Sequence, residues 1–94
     1  MSGVERRLPE DIRIPELVEE LARAMDTPPI DMVVVLPPEV YDRWCSQVGK
    51  RPGRGVKATI GIVWRTVSYK LPVVCREDAA PGMVVVMPRE DLRR

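Results

Sequence analysis

Few side chains in this chain are equipped for chemistry. The groupings closest to a nucleophile or an acid–base couple are two cysteines, Cys45 and Cys75, and the carboxylate pairs Glu19 with Glu20 and Glu39 with Asp42. Histidine is absent from all 94 residues. That removes the commonest general base, the commonest metal ligand and every Ser-His or Cys-His nucleophile. A zinc site would need both cysteines and two carboxylates, without the close Cys-x-x-Cys spacing of such sites, so neither a metal nor a cofactor is expected. Paired carboxylates do acid–base work only in a deep, partly dry cleft, which a small aliphatic domain seldom has. Cys45 follows Trp44 within an amphipathic pattern and reads as a buried thiol. The expectation is a protein that is not an enzyme.

Composition bounds the rest. A chain of 94 residues with 45% hydrophobic residues is one domain, and with no Phe, two Trp and two Tyr its core must be filled by aliphatic side chains. The longest apolar runs, 32–36 and 83–87, fall far short of the roughly 20 residues of a membrane helix. Residues 1–10 carry charges and Pro where a secretory signal would be apolar. The two thiols are therefore expected to be reduced core residues rather than a disulfide, and the location cytoplasmic or in a virion.

Charge supplies the positive evidence. The net value is +1, but residues 1–42 hold ten acids against four arginines, a net of −6, while residues 43–76 hold eight bases and no acid. Such asymmetry suggests an electrostatic contact surface. The segment Lys50-Arg51-Pro52-Gly53-Arg54-Gly55-Val56-Lys57 combines turn chemistry with four cations and reads as an exposed loop. Lys50, Arg51, Arg54, Lys57 and Arg43 are the candidate partner-binding residues. The plainer alternative is that an acidic helix covers a basic sheet within one molecule, leaving no field for partners.

The elements that must position these residues follow from periodicity. Leu17, Val18, Leu21, Ala22 and Met25 recur on one face of a helical period after Pro15, predicting a helix over 15–25. Residues 31–36 predict a strand buried on both faces. Pro38 and Glu39 open a second helix through Val40, Trp44 and Val48, stopped by Gly49. Val56, Ala58, Ile60, Ile62 and Trp64 alternate as in a half-buried strand, and Trp64 shares the apolar face of Ile60 and Ile62. The phase then shifts to Val67, Tyr69 and Leu71, as at a bulge or tight turn. Strands over 71–75 and 83–87 follow, joined through Pro81-Gly82, with a short helix from Pro88. Together these predict a single α+β domain over 1–94, with a small sheet of about four strands, two helices packed on it, and residues 1–14 as an extended arm.

In order, residues 31–90 resemble the C-terminal part of the axial domain of tailed-bacteriophage coat (major capsid) proteins. The likeness rests on Val33-Val34-Val35-Leu36-Pro37-Pro38-Glu39-Val40-Tyr41-Asp42-Arg43-Trp44 as a strand leading into a Pro-capped helix. A variable loop at 50–57, Leu71-Pro72-Val73-Val74, and the Pro-Gly turn into Met83-Val84-Val85-Val86 complete it. A complete coat protein is several times longer, with an extended arm and a long spine helix that this chain lacks. The resemblance implies a virion-associated or capsid-interacting component whose partner is itself or a coat-like protein, as a homo-oligomer. Two other readings stand beside it: a nucleic-acid-binding module using the basic 43–76 segment, with Trp64 or Tyr69 stacking on bases, and a phage-encoded inhibitor of a host protein.

Overall fold

The computed structural model of the chain describes residues 4–48 and 58–93. Helix α1, Ile14–Arg23, buries Ile14, Leu17, Val18, Leu21 and Ala22 on one stripe. Its N-cap residue, Arg13, makes no side-chain cap. Instead the Ile14 N–H donates to Gln47 Oε1 at 3.2 Å, and the Arg13 guanidinium donates to the Gln47 carbonyl at 3.3 Å. The last turn of helix α2, Pro38–Val48, thus satisfies an orphan donor of α1, while a cation meets an end carbonyl of α2.

Five strands form one sheet: β1 (Val4–Arg7), β2 (Met32–Leu36), β3 (Thr59–Trp64), β4 (Val67–Cys75) and β5 (Met83–Pro88), in the order β1-β5-β2-β4-β3. All pairs are antiparallel except β2 with β4, so the class is α+β. Strands β1 and β3 are opposite edges, yet α1 packs against both as well as against β5. A flat five-stranded sheet would hold its edges about 19 Å apart, wider than a helix of roughly 10 Å. The sheet therefore curls around α1, and the core lies in the resulting trough.

Every residue of β2 is buried, as expected for its central place. Met32, Val34 and Leu36 join the core around α1, while Val33 and Val35 point to the other face, toward Leu92 and Asp91 of the C-terminal 3₁₀ turn, Arg89–Arg93. The β2–β4 ladder runs only from Val34–Val73 to Leu36–Cys75. Proline explains its limit. Val73 gives its N–H to the Ala58 carbonyl and Arg76 gives its N–H to the Leu36 carbonyl, so odd donors of β4 serve β3 and even ones serve β2. Pro72 belongs to the even set and has no donor.

Two turns show why the strands end where they do. Ala80-Pro81-Gly82-Met83 closes with the Met83 N–H on the Ala80 carbonyl, with Gly82 at φ 73°, a type II geometry that favours glycine there. The β3–β4 hairpin turns on Arg65 and Thr66 at φ 47° and 71°. Both central residues are thus at positive φ, as a type I′ turn requires, where Asn-Gly is the usual choice and a β-branched residue is strained.

The sheet has five strands rather than about four. The additional one lies in the region expected to be an extended arm: Val4–Arg7 pairs with β5, Val4 opposite Val86 and Arg7 opposite Met83. The expected phase change after Trp64 is a tight turn at Arg65 and Thr66, and β4 runs over 67–75 rather than 71–75 alone. Cys45 is buried, but Cys75 is exposed at the end of β4, so only one of the two thiols is a core residue. Trp64 is core, with Nε1 donating to the Met25 carbonyl at 3.3 Å. Trp44 is also buried, stacked 5.7 Å from Tyr41, but its Nε1 has no partner among the described residues.

Thr66→Gly should stabilise the protein by about 1 kcal/mol in urea denaturation, since glycine relieves the positive φ. Trp64→Phe should cost about 1–2 kcal/mol more than Trp44→Phe. Both lose ring area, but the first breaks a buried hydrogen bond and the second removes an unpaired buried donor.

Candidate interaction surface

Of the five cations that the sequence offers as contact residues, Lys50, Arg51, Arg54 and Lys57 lie outside the described residues. Arg43 is half-buried on α2. Its guanidinium donates to the Glu10 carbonyl at 2.6 Å and to the Pro9 carbonyl at 3.3 Å. It therefore clasps the β1–α1 connection to α2, with its guanidinium directed at backbone carbonyls. Nothing local in the sequence signals this, because the accepting carbonyls are 33 and 34 residues away.

The other described cations of the 43–76 segment sit in three settings. Arg76 holds both carboxylate oxygens of Asp78, each at 3.0 Å, and reaches the Leu92 carbonyl at 3.3 Å. Its fork geometry ties the β4–β5 connection to the C-terminal 3₁₀ turn. Arg65 lies 4.6 Å over the Trp64 ring, a cation–π placement that orients it at the hairpin tip. Lys70 is exposed on the outward face of β4, opposite Gly61.

The acidic front segment is partly neutralised from within. Arg6 of β1 pairs with Glu20 at 2.9 Å, and Arg23 pairs with Glu19 one helical turn away at 2.7 Å. These exposed pairs are worth little individually, but they remove two carboxylates from the surface field. They also engage both members of the adjacent pair Glu19 and Glu20. Glu10, Asp11, Glu16, Asp26 and Asp31 remain exposed. Glu39 Oε1 accepts the Gly82 N–H at 2.9 Å, so that carboxylate anchors the start of β5 to α2.

Two open clefts flank the C-terminal 3₁₀ turn. One of about 260 Å³ lies among Val35, Val85, Met87, Ala79 and the charged groups Arg76, Asp78 and Asp91. The other, about 330 Å³, opens where Pro72 ends the β2–β4 ladder, between Val33, Tyr41, Ala58, Val73, Arg89 and Leu92. Among the described residues no group of three or more His, Cys, Asp or Glu side chains converges as a metal site would require. No helix of the described residues is long and apolar enough to cross a membrane.

Because Arg43 works as a clasp, Arg43→Ala should lower stability by about 1–2 kcal/mol, measured by thermal and urea unfolding, whatever it does to partner binding. Comparison of the chain with protein-family models, with curated proteins and with solved structures finds no match.

Proposed function

We propose that this protein is a non-catalytic interaction component, virion-associated or capsid-interacting in a tailed phage, that assembles with itself or with a coat-like protein through charge-complementary surfaces. The observation that carries this reading is the way the front segment's charges are used. The ion pairs at Glu19 and Glu20 are made with arginines of the same segment. Glu10, Asp11, Glu16, Asp26 and Asp31 stay exposed, and the ion pairs made by the described cations of the middle segment do not reach them: Arg76 pairs with Asp78, while Arg43 and Arg65 meet backbone carbonyls and a ring. Opposite charges left on the surface favour a partner that presents the complementary sign.

The nucleic-acid reading is supported less well. Trp64 is 7% exposed, with its N–H committed to Met25 and Arg65 over its ring, so it offers no free face to a base. Tyr69 remains, half-buried on β4.

Size-exclusion chromatography with light scattering at low salt and at about 1 M salt tests the proposal, since screening at 1 M shortens the range of charge interactions to about 3 Å. Association at low salt should weaken at high salt. The double variant Arg51→Glu, Arg54→Glu should weaken association with a partner without lowering the melting temperature. Binding that is indifferent both to salt and to this reversal would sink the electrostatic premise. Retention of single- or double-stranded DNA or RNA in a low-salt gel shift would favour the nucleic-acid reading instead.

A further inference from the structure

The two edges of the sheet are guarded differently. Strand β1 is Val4-Glu5-Arg6-Arg7, with one uncharged residue, and its Arg6 is tied to Glu20 at 2.9 Å. Charge along an edge strand discourages other chains from pairing with it. Strand β3, at the opposite edge, is Thr59-Ile60-Gly61-Ile62-Val63-Trp64, without a charge or a proline. An uncharged, largely β-branched strand on an open edge is a template for another strand.

The hydrogen-bond alternation of β3 shows which of its backbone groups are open. Val73 donates to the Ala58 carbonyl, and the two-residue turn at Arg65 and Thr66 pairs Trp64 with Val67, so the even residues of β3 bond to β4. In an antiparallel ladder the residues between them face the other way. The N–H and C=O groups of Thr59, Gly61 and Val63 therefore point off the edge of the sheet, and none of these residues has another hydrogen-bond partner among the described residues. All three are exposed. For Gly61, which has no side chain, that exposure is of the backbone itself.

Gly61 also opens a path across the strand, since a Cβ placed there would meet nothing within 4 Å. Lys70 stands opposite it on β4, exposed on the outward face and without an acidic partner among the described residues. A strand added beyond β3 would set its residue opposite Gly61 about 10 Å from Lys70, two strand spacings away. Lysine and glutamate side chains together span that distance, and no side chain stands between them. From 58 to 75 the chain carries Arg65 and Lys70 and no acid, so an incoming strand meets only positive charge on the hairpin.

We propose that β3 is the docking edge for an extended segment of a partner protein, which adds a strand to the sheet and sets a carboxylate opposite Gly61, in reach of Lys70. The backbone groups of Thr59, Gly61 and Val63 supply the affinity, and Lys70 reads the partner's side chain across the gap. The inference rests on the reading of the protein as an interaction component and deepens it by naming the chemistry of the partner.

The probe is the capped peptide Ser-Thr-Val-Glu-Val-Thr-Ser, titrated into the full chain and followed by amide NMR shifts. It should bind, with the largest shifts at Thr59, Gly61 and Val63. Methylating the amide nitrogens of its Glu and two Thr should abolish binding, because the ladder then cannot form. Lys70→Glu should weaken binding about fivefold or more, and a peptide with Lys in place of Glu should restore it. Gly61→Val should weaken binding of the Glu peptide with a melting temperature unchanged or higher, since it fills the gap with a strand-forming side chain. Absence of binding, shifts centred on other amides, indifference to methylation or failure of the charge exchange overturns the proposal. So does an oligonucleotide that shifts the β3 amides where the peptide does not, which assigns the cationic hairpin to a polyanion. The interaction reading has its own arm: if Arg51→Glu, Arg54→Glu weakens a salt-sensitive association while the peptide leaves β3 untouched, that reading survives and this one falls.

Discussion

The structure depends on the burial of one helical stripe. A core without Phe must gain its stability from many small aliphatic contacts, and α1 brings Ile14, Leu17, Val18, Leu21 and Ala22 into a single trough. The curl of the sheet follows from that helix, because edge strands on opposite sides can both reach it only if the sheet wraps. The two tryptophans then close the ends of the core. Trp64 bonds to the carbonyl of Met25, just beyond α1, and Trp44 packs from α2 beside Tyr41. Helix α2 is itself fixed to α1 through Gln47 and to the preceding loop through Arg43. Polar contacts between the helices are thus concentrated near the start of α1, where orphan donors need partners.

The opposite face of the sheet is organised by less. Val33 and Val35 are 2% exposed, but what lies near them is a short 3₁₀ turn and the 76–79 connection, joined by Arg76. Pro72 adds an opening, since a missing donor stops the central ladder and leaves a cleft beside Val33. Such clefts follow from local backbone chemistry and need no functional cause.

How far the sequence foretells this architecture depends on where each element draws its stability. Helix α1 was legible because burial of its face imposes a period and Pro15 marks its start. Strand β2 was legible because a doubly covered strand is apolar throughout. Strand β1 was not: Val4-Glu5-Arg6-Arg7 has one apolar residue, and charged edge strands carry little strand signal. Its pairing with β5 and the Arg6–Glu20 bridge are both long-range. The strand over 71–75 extends back to Val67, because the shift of phase after Trp64 marks the turn at Arg65 and Thr66 and the apolar positions Val67, Tyr69 and Leu71 already belong to β4. Continuity survives here because the donor Pro72 lacks faces β2 where pairing has already ended. Among the candidate contact residues, the sequence shows Arg43 as a cation but cannot show that its partners are the Pro9 and Glu10 carbonyls.

Charge that is segregated along the chain is redistributed by folding. Arg6 and Arg23 neutralise carboxylates inside the acidic front, and Arg43, from the basic middle, crosses to the front segment's backbone. The Trp64–Met25 bond carries Arg65 to the end of the molecule where Asp26 is exposed. A linear reading of the signs suggests a molecule with a negative end and a positive end, which would stack head to tail. The described surface instead brings both signs to the Trp64–Met25 contact, with Arg65 on the hairpin side and Asp26 on the loop side. The same tertiary contact that completes the core at Trp64 therefore also sets a cation of the basic middle beside the acidic front, against the order in which the signs run along the chain.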